Sequence, residues 1–320
     1  MRDEDWGTYA PTLSHLVMDR EPGSFRVAYD ASRQARDGTR LEFSAVIVGR
    51  SDGSLRFEAA ARPKGDFRTN RCGFSYFTEL NRKRPPVDLL DFITRATNPI
   101  VHAADDRSVM QALKTLPCIT RSARAFIGAD KPCRIGPSTI AMRQNPYGSR
   151  TFDNPCAQRI AMANADPRHN ALFGAAWTLG YVAGTTQAHL EALTPAALTG
   201  AFGLFNDGGA ARPLLHVVRA PAELAGCERL GLTTSRPDEV HGFVAVTKRG
   251  ARVVWLANLT PRPLTVELSP GGERSVRSLD AESWMESSEE RPAPSRLSGR
   301  RVALAPDAIV GIEDQPWGPD

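Results

Sequence analysis

The residues best suited to chemistry sit in one ten-residue stretch, 75–84, which reads SYFTELNRKR. The short run Tyr76-Phe77-Thr78 leads directly into Glu79, Asn81 and Arg82 follow it, and Pro85-Pro86 closes the segment. The pattern predicts a strand that ends in a carboxylate. That is the geometry of a (β/α) barrel active site, where chemistry sits at the C-terminal ends of the strands. In this position Glu79 is a general base or acid, and Asn81 and Arg82 orient it. His102 ends the next predicted strand, and its intrinsic pKa suits a base or a group that polarises a carbonyl. Glu191, in the segment HLEAL, ends the last predicted strand of this region, and His189 lies two residues before it. Alternation then puts both on one face. Two strand-end carboxylates also suit glycoside hydrolysis, one as acid/base and the other as nucleophile or base. No spacing of His with Cys, Asp or Glu supports a metal site.

These groups need elements to hold them. Before Ser75, Phe25–Tyr29 reads as one strand. Leu41, Phe43, Ala45 and Ile47 alternate with other residues as in a half-buried strand, Ser51-Asp52-Gly53 is a turn, and Leu55–Ala61 is the returning strand. From Tyr76 short apolar strands alternate with helical segments, the signature of βα units. The first is YFTEL with a helix around Val87–Arg95. The second is Pro99–Ala103 with a helix over Asp106–Leu116, which Asp105 or Asp106 is placed to cap. The third is Cys133–Ile140, a loop to Pro155 and a helix over Asp166–Val182. The last is Thr186–Ala192 with a helix near Leu214–Ala225. On that helical face His169, Trp177 and Tyr181 read as packing residues. After Gly231 come strands at Gly242–Thr247, Arg252–Asn258 and Leu264–Leu268, a polar stretch over Ser269–Gly299, and strands at Arg301–Ala305 and Ala308–Ile312. The fold class is therefore α/β plus β: a partial TIM (β/α) barrel of about four βα units, flanked by an N-terminal β segment and a C-terminal β-sandwich. The domain division is 1–74, 75–230 and 231–320, with the site in the middle part.

Composition narrows the function. Of 320 residues, 41% are apolar and 24% charged, as in a soluble globular protein. The net charge of +4 comes from 40 basic and 36 acidic residues mixed along the chain, without a basic stripe interleaved with aromatics, so nucleic acid is not an expected partner. Five cysteines without CxxC spacing read as reduced thiols of a cytoplasmic protein. The N-terminus lacks the apolar stretch of a signal peptide, and no apolar run is long enough to span a membrane. Nucleotide-binding, serine-hydrolase and zincin signatures are absent, so no cofactor is expected.

Six segments carry a resemblance: TNRCGF, YFTELNRKRP, NPIVHAADDRSVMQAL, RIGPSTIAMRQNP, DPRHNALFGAAWTLGYVAG and VVWLANLTPRPLTVEL. Together they resemble the D-apionolactonase (D-apionate lactonase) family over most of Leu41–Leu268, with FTELNR and ANLT the most specific parts. The resemblance implies a sugar lactone hydrolase of apiose catabolism, with an N-terminal β-domain, a TIM-barrel middle and a C-terminal β-domain. It also implies an internal deletion. In the family TNR-x-GF lies in the β-domain and TELNR well inside the barrel, whereas here Ser75 alone separates them. A full barrel takes roughly 250 residues, and the stretch from Tyr76 to Ala225 is shorter than that. An open half barrel leaves strand edges unpaired, which invites a homo-oligomer that covers them.

Lactone opening needs a base for water, donors for the oxyanion and an acid for the leaving alkoxide. On this reading Glu79, Glu191 and His102 are the catalytic candidates. Glu191 sits where the resembled family has a second strand-end glutamate, although the residues after it depart from the family pattern. Asn81, Arg82, Asp105, Arg143, Asn145 and His189 are the substrate-binding candidates, with Arg143 and Asn145 placed on the loop after the third strand. Two other readings stay open: a glycoside hydrolase using Glu79 and Glu191, and a non-catalytic remnant.

Overall fold

The computed structural model describes residues 12–34, 40–64, 76–143, 151–284 and 289–314. The chain divides into two compact units, Met1–Asn70 and Arg71–Asp320.

The first unit is an antiparallel sheet of β1 (Thr12–Glu21), β2 (Ser24–Gln34), β3 (Arg40–Arg50) and β4 (Leu55–Lys64), in that order. The β3–β4 hairpin is the one its alternation predicts, with Gly53 at φ +81° and Asp52 Oδ1 accepting from the Ser54 N–H at 2.8 Å. Alternation does not reveal β1. A bulge between Ser14 and Val17 interrupts its pairing with β2 and breaks the two-residue period.

The second unit begins with a parallel sheet of β5 (Ile93–Arg95), β6 (Cys133–Ile135) and β7 (Ala192–Leu193), and Tyr76 adds a parallel bridge to Ala96 at its edge. This is the partial barrel. Its helices are α1 (Phe77–Lys83), α2 (Asp106–Gln111), α3 (Leu116–Ile127), α4 (Leu172–Gly184) and α5 (Pro213–Glu223). Helix α4 is buried on every side from Gly174 to Ala183. It fits because it is apolar all round and because small residues let its neighbours close in. A Cβ at Gly180 would stand 2.6 Å from Leu113 Cδ1.

Four predicted elements of this region differ. The segment after Tyr76 is the helix α1, not a strand. Glu79, Leu80 and Arg82 are good helix formers, Glu79 lies in the first turn where its charge complements the dipole, and among the described residues the segment's strand pairing is a single bridge from Tyr76 to Ala96. The helix expected over Val87–Arg95 is a 3₁₀ turn, Val87–Leu89, followed by β5, whose Ile93 and Thr94 are β-branched and favour the extended chain. Pro99–Ala103 is a turn and loop, the strand having ended earlier. Thr186–Ala188 is a 3₁₀ turn closed by His189 at φ 48°, and β7 starts only at Ala192.

The chain closes with an antiparallel sheet of β8 (Glu228–Leu230), β9 (Val240–Val246), β10 (Arg252–Asn258), β11 (Leu264–Leu279), β12 (Ser295–Leu304) and β13 (Ile309–Glu313), in the order β12-β11-β13-β10-β9-β8. Strand β11 runs on through residues that read as a polar connection; register shifts between Glu267 and Gly272 and then pairs with β12 resume. One apolar core, with Leu256, Val276, Val302, Leu304 and Ile312, is formed by residues of this sheet. Phe243, Val253 and Trp255 on β9 and β10 belong instead to the core that includes α4.

Candidate active site

Strand β5 continues into Ala96, Thr97 and Asn98, and β6 into Gly136, Pro137 and Ser138, so these residues mark the C-terminal ends of the parallel strands. A polar network ties them to α4. Tyr181 Oη lies 2.6 Å from Thr97 Oγ1 and 3.1 Å from Ser138 Oγ, and Ser138 Oγ accepts from the Thr97 N–H at 3.2 Å. Asn98 clamps the two loops. Its Nδ2 donates to the carbonyls of Thr139, Ile140 and Ala141, each at 3.0 Å, and its Oδ1 accepts from the Ile100 N–H.

Beside this network is a cavity of about 240 Å³. Glu79, Arg82, Thr97, Asn98, His102 and Tyr181 give it polar walls, and Leu113, Leu116 and Trp177 an apolar one. Arg82 Nη1 donates to Glu79 Oε1 at 3.2 Å across one helical turn. Trp177 donates to the Val109 carbonyl at 3.2 Å and packs on Tyr181 with ring centroids 5.3 Å apart. The structure thus brings together Glu79, Arg82 and His102, with Glu79 on the first turn of α1 and His102 exposed on the loop after β5.

The remaining candidates lie elsewhere. Asn81 Oδ1 accepts from Arg84 Nη2 at 3.2 Å and does not line the cavity. Asp105 caps α2, accepting from the Ser108 N–H at 2.9 Å, as its position in the sequence predicts; those hydrogen bonds hold its carboxyl below the usual range. Arg143 is exposed and donates to the Pro137 carbonyl at 2.9 Å. Asn145 lies outside the described residues. Glu191 does not end a strand. Its N–H donates to the Cys133 carbonyl, level with the start of β6 and one residue before β7. That is the N-terminal end of the sheet, where barrel residues serve stability. Arg134 Nε donates to Glu191 Oε2 at 2.6 Å and holds the carboxyl below its ordinary range. His189 is exposed, and its carbonyl accepts from Arg124 Nη2 at 2.7 Å, so no alternation aligns it with Glu191.

Tyr181, Thr97 and Ser138 are the site residues that sequence reasoning overlooks. A buried tyrosine on an otherwise apolar helix was the available signal, because its hydroxyl needs a partner. Arg95 is less expected still. It is 1% exposed, and its Nε and Nη1 have no hydrogen-bond partner among the described residues. Burial lowers its pKa from the ordinary value.

A second polar group fixes the loop that carries His102. Arg168, 3% exposed, donates to both oxygens of buried Asp166 at 2.8 and 2.6 Å and to Asp106 Oδ1 at 3.1 Å. Arg159 joins Asp106 at 2.9 Å. Burial first, and then the charge of Asp106, push the Asp307 carboxyl up to about 6. Among the described residues no group of three or more His, Cys, Asp or Glu is arranged to hold a metal ion, and no helix is long and apolar enough to cross a membrane.

Comparison with known proteins gives this arrangement a family. Residues 1–82 match the D-apionate lactonase N-terminal domain, 57–226 its TIM barrel domain, and 237–312 its C-terminal immunoglobulin-like domain. The D-apionate lactonase of Brucella anthropi is 53% identical over 201 residues, which cover 61% of this chain and 32% of that protein. The chain therefore spans about a third of the length of the curated relative it matches. Among solved structures, the GH51 arabinofuranosidase of Xanthomonas axonopodis pv. citri aligns over 75% of this chain and 57% of its own, at 15% identity and a TM-score of 0.49. A 4-O-α-L-rhamnosyl-β-D-glucuronidase of Fusarium oxysporum aligns over 74% and 56%, at 12% identity and a TM-score of 0.49. With the barrel domain alone matching more than half of its residues, the chain belongs to the D-apionate lactonase family.

Proposed function

We propose that the chain is a sugar lactone hydrolase that opens D-apionolactone to D-apionate, with the cavity beside β5 as its reaction site. The observation that carries this reading is the shared lining of one cavity by Glu79, Arg82, His102 and Tyr181 at the C-terminal ends of parallel strands. In the reaction a water oxygen adds to the lactone carbonyl carbon while Glu79 takes its proton. Arg82 and His102 supply N–H donors for the charge that develops on the carbonyl oxygen. The acyl–oxygen bond then breaks, and the ring oxygen leaves as a hydroxyl with the proton that Glu79 held. Arg82 remains as a partner for the product carboxylate. The site belongs to the part of the chain between residues 75 and 230, with the β parts at 1–74 and 231–320 as its flanks. The free thiols of Cys118, Cys133, Cys156 and Cys227 support a reducing, cytoplasmic setting, and the step would serve the breakdown of apiose.

Glu191 is not among the residues that line the cavity, which favours lactone over glycoside chemistry. NMR of the full chain with D-apionolactone, other aldonolactones and aryl glycosides tests the reading. Ring opening above the spontaneous rate, without release of the aryl group, is expected. Aryl glycoside cleavage without lactone opening would overturn it.

A further inference from the structure

We propose that the site selects lactones by the group on the ring carbon that carries the leaving oxygen, taking hydrogen or alkyl there and rejecting hydroxymethyl. The inference rests on the reading of the cavity beside β5 as the place where a lactone is opened. The walls of that cavity differ in kind. Glu79, Arg82 and His102 supply the groups that a lactone carbonyl needs. Another wall comes from one helical run, the 3₁₀ turn Ala112–Thr115 and the start of α3. Leu113, Leu116 and Ile119 follow one another there at three-residue spacing, share a face and line the cavity. Ile119 is half-buried, as is Val101 beside the same space, so each keeps apolar surface that a ligand can cover.

The hydrogen-bond donors of this wall are already engaged. Thr115 Oγ1 donates to the Ala112 carbonyl at 2.7 Å, and Trp177 Nε1 donates to the Val109 carbonyl at 3.2 Å. A hydroxyl pressed against the wall would give up water without an equal partner in return, whereas a methylene or methyl group gains by leaving water. D-apionolactone suits such a wall. Its carbonyl carbon and the next two ring carbons carry oxygen outside the ring, and the fourth, bonded to the ring oxygen, is a bare methylene. With the carbonyl toward Glu79, Arg82 and His102, that methylene is the part of the ring the apolar wall accepts at no cost in hydrogen bonds. In most aldonolactones the same carbon carries a hydroxymethyl group or a longer polyol arm. The wall then discriminates by what it makes the wrong lactone lose, not by an added contact to the right one. An alkyl group at that carbon loses nothing.

A pH-stat comparison of D-apionolactone, D-ribonolactone, which has a hydroxymethyl group at this carbon, and the deoxy analogue of D-ribonolactone with a methyl group there tests the proposal. Each kcat/KM is divided by the rate constant for opening of the same lactone by hydroxide, which removes differences in intrinsic reactivity. Wild type is expected to favour the methyl over the hydroxymethyl lactone by on the order of 10- to 100-fold, the range an apolar pocket achieves against an added hydroxyl. Ile119→Asn gives the wall a donor and an acceptor and should lower that ratio by about fivefold or more, whatever the absolute rates. The wild-type ratio decides the matter even where the variant does not fold. Opening of D-apionolactone with equal corrected rates for the other two would overturn this proposal alone, as would an unmoved ratio in folded Ile119→Asn. Opening of no lactone would overturn the lactonase reading and this proposal with it.

Discussion

Tyr181 Oη and Thr97 Oγ1 lie 2.6 Å apart, joining the middle of a buried helix to the first residues beyond a barrel strand. The contact makes the helix behind the sheet a wall of the cavity. It also fixes the loop on which His102 stands. Tyr181→Phe removes both hydrogen bonds of the phenol while keeping its ring. The expected loss is about 1 kcal/mol of stability, read in chemical denaturation, with a fall in kcat/KM for the lactone. Unchanged stability would mean that Thr97 and Ser138 satisfy each other without the phenol.

Glu191→Gln is expected to leave turnover within about threefold of wild type, since the side chain faces Arg134 at the N-terminal end of the sheet, where barrels do not place their chemistry. Steady-state kinetics on the lactone checks it. A loss comparable to that of a catalytic carboxylate would restore Glu191 to the site.

The fold was legible where pattern and chemistry agree. The β3–β4 hairpin, β9, β10 and the long apolar helix α4 follow from alternation, turn residues and hydropathy. Of the barrel strands β6 was, at the start of the predicted Cys133–Ile140, but β5 and β7 were not, because they are two or three residues long and their alternation has no room to show. Ile93-Thr94-Arg95 is only three residues long and ends in a charge, which reads as the end of a helix. Glu79 was legible as a chemical group but not as a helix residue. Glu191 was misplaced by the few residues that separate a 3₁₀ turn from a strand.

Arg95→Met is expected to stabilise the protein by about 1–3 kcal/mol. Among the described residues Nε and Nη1 of this buried charge have no hydrogen-bond partner, so the guanidinium recovers little of the solvation it gives up, and an apolar side chain of similar length fills the same space. A thermal melt measures it. Destabilisation would reveal that the guanidinium has an energetic partner.

Stability should fall as pH rises from about 4 to about 6 through Asp307. Its carboxyl keeps a proton to about 6 in the folded chain, against an ordinary value of 3.8, so over that interval the folded state binds more protons than the unfolded one. Asp307→Asn should flatten this part of the profile and add about 1 kcal/mol at neutral pH, the shift being discounted for partial exposure. Denaturation midpoints at pH 4, 5, 6 and 7 (on the order of one unit apart) decide the sign. A parallel profile in the variant would contradict the assignment.

The central claim is that Glu79 acts on a lactone in the cavity beside β5. A pH-stat measurement of acid released from D-apionolactone by the full chain and by Glu79→Gln tests it most directly. Wild type should release acid well above the spontaneous rate, and Glu79→Gln should be slower by on the order of 100-fold or more. Equal release by the two proteins, or none above background from wild type, would contradict it.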